Sequence, residues 1–208
     1  MDGVVIDSEP SFKFAWKQAA KAFGIQLQDE MVRKLLGQQA EDVERALKRA
    51  IGSQFDFVHF RHVAAQSWRE YAEKRGIPPM PGLANVLELL DQAVIPYGLA
   101  TNSNGPIAAE CLLRSRLDKR FSLIVTREQV AAAKPEPDLF IHAAKCMGIS
   151  VNECLIFEDS AIGLMAAKRA GAIPVLVNAD PSEESQKLAA FSFHTLNEVA
   201  ATLKRSLN

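Results

Sequence analysis

The sequence has no long block of charge of either sign: 24 Lys and Arg are set against 25 Asp and Glu. That balance leaves no basic footprint for nucleic acid or for an anionic membrane surface. Cysteine is scarce, with Cys111, Cys146 and Cys154 alone. Their number is odd and no two stand at metal-ligand spacing, which argues against a disulfide framework and a thiolate zinc site. All three are expected as buried core thiols of a reduced, cytoplasmic protein. No apolar run approaches the length that spans a bilayer. Met1-Asp2-Gly3 lacks a basic region and leads only into Val4-Val5-Ile6, so no secretory signal is expected. There is no internal repeat and no low-complexity tract. The expected partner is a small molecule, with no nucleic acid and no membrane.

What is present has a globular composition. Apolar residues make up 48% of the 208, enough for one α/β domain with a real core plus a smaller inserted domain. Residues 10–76 read as helical throughout. Phe12, Trp16, Ala19 and Phe23 recur at helix spacing, as do Phe57, Phe60, Ala64, Trp68 and Tyr71. Gly24, Gly37, Gly52 and Gly76 read as helix stops. Asp7 reads as a loop or cap residue before the helix that Pro10 opens. The stiff run Ile77-Pro78-Pro79-Met80-Pro81-Gly82 marks a boundary. Beyond it short apolar runs alternate with helices. Strands are expected at Tyr97–Ala100, Leu123–Thr126, Cys154–Phe157 and Ile173–Val177. That alternation predicts a Rossmann-like, doubly wound parallel sheet, with residues 1–9 and 77–208 as the core domain and 10–76 as an inserted helical domain. Ligands in such sheets bind beyond the carboxyl ends of the strands, which directs attention to Thr101, Thr126, Glu158-Asp159 and Asn178.

Glu158 and Asp159 end an apolar strand. Two adjacent acids there repel each other, and burial makes both charges costly unless a cation joins them. Mg²⁺ suits such a pair because it takes hard oxygen ligands and few of them from protein. The plainer alternative is that Asp159 or Ser160 caps the next helix. Thr101 also follows a strand, where its hydroxyl and the backbone N–H groups after it could hold phosphate oxygens. A plain cap, with Asn104-Gly105-Pro106 opening the next helix, is the alternative there. Lys134 precedes Pro135 and Pro137, which stiffen the turn that presents its ammonium. A fixed cation at such a site stabilises transferred charge, whereas a solvated lysine is the default elsewhere.

Four segments in order carry a family resemblance. They are Asp2-Gly3-Val4-Val5-Ile6-Asp7, Leu99-Ala100-Thr101-Asn102-Ser103-Asn104, Lys134-Pro135-Glu136-Pro137-Asp138, and Phe157-Glu158-Asp159-Ser160 with Gly163 and Ala170-Gly171 behind it. Together they resemble the haloacid dehalogenase superfamily, in its capped phosphatase and β-phosphoglucomutase branch. The resemblance implies that residues 10–76 are the cap domain. It implies Mg²⁺ held by Glu158, Asp159 and the backbone carbonyl of Asp2. It implies phosphate held by Thr101, Asn102 and Lys134, and catalysis by Lys134 and Asp2. Asp2 matches the second aspartate of the family's Asp-x-Asp-Gly motif, the general acid and base. The nucleophilic aspartate should lie two residues before Asp2, where this sequence has nothing. We therefore expect Met1 to be an internal methionine and the first core strand to be missing from the chain.

The implied reaction is Mg²⁺-dependent hydrolysis of a small phosphorylated metabolite, a sugar phosphate, through an aspartyl-phosphate. A monomer or weak homodimer is expected. A phosphosugar mutase is the alternative, although Phe12 and Ala40 stand where the mutase offers a histidine and an arginine. A catalytically silent phosphate-binding module is the other. His59 and His62, at i and i+3, lack a third ligand nearby and read as a polar helix stripe. Arg114, Arg116, Lys119 and Arg120 read as a solvated helix end, and Trp16 and Trp68 as core.

Overall fold

The structure, a computed structural model, describes residues 1–35, 40–52 and 55–207. The chain divides into two compact units: Ser8–Ile77, and Met1–Asp7 together with Pro78–Asn208.

The first unit is helical. It comprises α1 (Glu9–Ala22), α2 (Asp29–Leu35), α3 (Ala40–Ile51) and α4 (Phe57–Arg75). Pro10 lies in the first turn of α1, where its missing N–H costs nothing. The N-cap position belongs to Ser8, not to Asp7. Asp7 instead donates its N–H to the Pro78 carbonyl at 2.9 Å. Ser11 Oγ donates to the Ser8 carbonyl at 2.6 Å and accepts from Trp68 Nε1 at 3.0 Å, joining α1 to α4. Asp56 caps α4 by accepting from the His59 N–H, and Gly76 ends it at φ +71°. Val32, Leu47 and Phe60 sit at the centre of the core, and Trp16 packs on its edge. Trp68 is buried against Phe12, ring centroids 6.0 Å apart. His59 and His62 are exposed. Gly37 lies outside the described residues, as does the side chain of Ala40, the first residue of α3.

The second unit is α/β. Its order is α5 (Leu83–Gln92), β1 (Leu99–Ala100), α6 (Gly105–Arg114), β2 (Ile124–Val125), α7 (Asp138–Met147), β3 (Leu155–Glu158), α8 (Ala161–Arg169), β4 (Ile173–Val177), α9 (Glu183–Leu188), β5 (Phe191–Phe193) and α10 (Leu196–Leu207). Every ladder is parallel, as helices between successive strands require. The ladders fall into two pieces, β1–β2 and β3–β4–β5, where one sheet was expected. The outer edge of β1 and the outer edge of β3 carry no strand among the described residues. Leu155, at the start of β3, is 45% exposed.

Two details depart from the sequence reading. Tyr97 precedes β1, whose pairing starts at Leu99; its hydroxyl donates to Asp91 at 3.0 Å and its ring faces the Arg120 guanidinium. Arg120 also pairs with Asp91 at 2.5 Å and Arg114 pairs with Glu110, while Arg116 and Lys119 are exposed as a solvated helix end requires. The thiols do not share one environment. Cys111 is buried, Cys154 is partly exposed and Cys146 is exposed, because Cys146 falls on the outer face of α7.

Candidate functional site

The carboxyl ends of β1 and β3 bring together most of the residues singled out in the sequence. Thr101 follows β1 and is almost wholly buried. Its N–H donates to the Val125 carbonyl at 2.9 Å, so the ladder holds it in place. Its Oγ1 accepts from the Ser103 N–H at 3.1 Å and shapes the turn. The helix cap belongs to Asn104, whose side chain accepts from the Ile107 N–H at 3.0 Å. Thr101 is therefore not the cap.

Asn102 faces the other way along the chain. Its Oδ1 accepts from the Lys134 N–H at 2.9 Å, and its Nδ2 donates to the Lys134 carbonyl at 3.3 Å. One amide thus satisfies both backbone groups of one residue. Lys134 is buried to 6% exposure. Its Nζ donates to the Ala100 carbonyl at 3.0 Å and to Glu158 Oε1 at 2.6 Å, with the Phe140 ring 4.6 Å away. The ammonium therefore spans from the end of β1 to the end of β3, across the break between the two ladders. It is no solvated surface lysine.

Glu158, the last residue of β3, is buried. Its other oxygen lies against Gly163, where a Cβ would come within 2.0 Å of Oε2. Asp159 lies against Gly3 in the same way, with 2.1 Å between a built Cβ and Oδ2. Its carboxyl is raised to about 6, chiefly by burial and next by the neighbouring Glu158 charge. Ser160 caps α8 by accepting from the Gly163 N–H at 3.3 Å, which relieves Asp159 of that role. The Asp159 carbonyl accepts from Asn178 Nδ2 at 2.9 Å. The Asp2 charge reaches both Asp159 and Cys111 and raises each, so Asp2 belongs to this neighbourhood.

The donor set fits a hard divalent cation. Glu158 and Asp159 are a buried and a part-buried carboxyl adjacent in the chain, one fastened to Lys134 and the other pushed toward its neutral form by desolvation and the Glu158 charge. Two glycines leave the carboxylates room. Among the described residues no three His, Cys, Asp or Glu side chains cluster as a complete metal site. A cation here would need oxygens from the main chain, water or substrate beside the acidic pair.

One supporting residue, Arg169, gave no sign in the sequence. Arg169, in the last turn of α8, donates to the Pro135 carbonyl at 3.1 Å and pairs with Glu136 at 2.6 Å. Asp138 accepts from the Ala132 N–H at 3.1 Å. Both pin the loop that carries Lys134. A basic residue in a last helical turn looks like ordinary dipole compensation, so nothing in its spacing reveals the clamp.

The chain resembles known proteins along its whole length. The model of the family "Haloacid dehalogenase-like hydrolase" matches residues 1–177. Hexitol phosphatase A of Escherichia coli (strain K12) is 28% identical over 205 residues, covering 97% of this chain and 91% of that protein. Fructose-1-phosphate phosphatase YqaB of the same organism is 28% identical over 174 residues, covering 82% and 89%. The crystal structure of a HAD hydrolase, family IA, variant 3, from Entamoeba histolytica HM-1:IMSS superposes with a TM-score of 0.82 at 26% identity, covering 100% of this chain and 96% of the other. With the family model matching residues 1–177 of the 208, the chain belongs to the haloacid dehalogenase-like hydrolases.

Proposed function

We propose that the protein is a phosphatase that releases inorganic phosphate from a small phosphorylated sugar or sugar alcohol, with Mg²⁺ as its cofactor. One observation carries the reading: a buried lysine bonded at once to the strand end that leads into Thr101 and to the acidic pair. It is supported by relatives named as hexitol and fructose-1-phosphate phosphatases.

Each residue has a task in this reading. Thr101 and the backbone N–H of Asn102 bind phosphoryl oxygens, and Lys134 offsets their charge. Asn102 fixes the Lys134 backbone. Glu158, Asp159 and the Asp2 carbonyl would hold Mg²⁺, which when bound would supply positive charge to the phosphoryl group. Asp2 gives a proton to the leaving oxygen and later accepts one from water. The aspartyl-phosphate route needs a carboxylate two positions before Asp2, a position these 208 residues do not include. The helical unit Ser8–Ile77 is the cap of this reading and the place where sugars are told apart. Phe12 packs on Trp68 there; a residue without an imidazole at that position supports hydrolysis over mutase chemistry. No described helix is long and apolar enough to cross a membrane.

The test is release of inorganic phosphate from a panel of hexose, hexitol and pentose phosphates with Mg²⁺. It is run on this chain and on a version extended by an apolar strand ending in an aspartate two positions before Asp2. Turnover of a sugar phosphate by the extended version is expected. Inertness of both proteins on every compound would overturn the reading.

A further inference from the structure

Most glycines here that adopt positive φ stand in open space, Gly24, Gly148 and Gly171 among them. Their conformation accounts for them. Gly163 is different. It is the third residue of α8, a regular helix, and its φ is not left-handed. Alanine is the better helix residue at such a position, so backbone conformation gives no reason for glycine. Space does. A Cβ on Gly163 would lie 2.0 Å from Oε2, 2.3 Å from Cδ and 2.8 Å from Cγ of Glu158. The carboxylate cannot simply swing away, because Glu158 is buried and Oε1 is fastened to Lys134 at 2.6 Å. The Gly163 N–H is also committed, donating to Ser160 Oγ, so the helix start holds the glycine in place.

We propose that Gly163 is a positioning residue, whose missing side chain is the space that seats the Glu158 carboxylate toward Lys134 and toward the cation site it shares with Asp159. Gly3 has a matching relation to Asp159, but its φ of +70° gives it a second reason to be glycine. Gly163 is the clean case. The inference rests on the Mg²⁺ assignment above, yet it also makes a claim about the metal-free protein.

Helix propensity and seating predict opposite results for Gly163→Ala. Propensity alone predicts a chain as stable as the parent or more so, with unchanged Mg²⁺ affinity. Seating predicts a less stable metal-free chain and Mg²⁺ binding weaker by about tenfold or more, read by calorimetric titration of Mg²⁺ alone. Adding Glu158→Asp, one methylene shorter, is expected to restore part of that affinity. Equal affinity in parent and Gly163→Ala would overturn the proposal. Should Gly163→Ala fail to fold, the double variant decides: recovery of fold and affinity supports the proposal, and failure of both overturns it. A parent chain that ignores Mg²⁺ would overturn the metal assignment instead. A metal-free crystal structure of Gly163→Ala then judges the glycine alone. A displaced Glu158 carboxylate supports seating, and an unmoved one overturns it.

Discussion

The Lys134 ammonium and the Glu158 carboxylate form a buried ion pair at 2.6 Å, both side chains less than a tenth exposed. A pair of this kind is costly to break from one side, because the charge left behind has neither water nor partner. Lys134→Met is therefore expected to destabilise the chain by about 3–5 kcal/mol. Adding Glu158→Gln removes the orphaned charge and should recover much of that loss. Urea unfolding of the two variants beside the parent checks the order.

Asp159 titrates at a higher pH in the folded chain than in the unfolded one, where an aspartate has its ordinary value near 3.8. Between those values the folded state holds more protons, so its contribution is full below about pH 4 and is lost as pH rises through about 6. In metal-free protein Asp159→Asn should remove that loss. The variant is expected to be more stable than the parent at pH 7.5, with the gap closing toward pH 4. Thermal melts in a chelator across that range test it. A gap that widens toward acid would contradict the assignment.

Asn102 satisfies both backbone groups of Lys134. Asn102→Ala leaves a part-buried N–H and C=O without partners, a loss of about 1–3 kcal/mol. Asn102→Asp keeps the acceptor for the Lys134 N–H and should lie between alanine and parent. Inorganic phosphate affinity, measured by calorimetry, should fall in the same order.

The three thiols should separate by rate. Cys146 is exposed and is expected to react first with an aromatic disulfide reagent. Cys154, partly exposed and raised by burial, should follow. Cys111 is buried and pushed up to about 12, so it should react only on unfolding. Peptide mapping after timed labelling gives the order.

The sequence announced β3 and β4 clearly. Cys154 to Phe157 and Ile173 to Val177 are unbroken apolar runs, and the structure places strands there within a residue or two. It did not announce β5, because Phe191-Ser192-Phe193 is too short to show a period. The acidic pair was legible since two adjacent acids rarely end an apolar strand. The seats of those acids were not. Gly3 meets Asp159 and Asn102 meets Lys134 only through the fold, across separations that no local pattern spans. Cys146 misled for a related reason: an apolar helix such as α7 still has an outer face, and the sequence does not say which residues fall on it.

Among the described residues the edges of β1 and β3 that face the break carry no strand; Lys134 takes up the Ala100 carbonyl there, and Leu155 leaves an apolar side chain partly uncovered. Such edges template pairing with other chains. In the test tube the practical outcome is colloidal. Clouding and light scattering should grow with protein concentration well before the helical unit melts, and an extended apolar peptide added in excess should hold the sample clear.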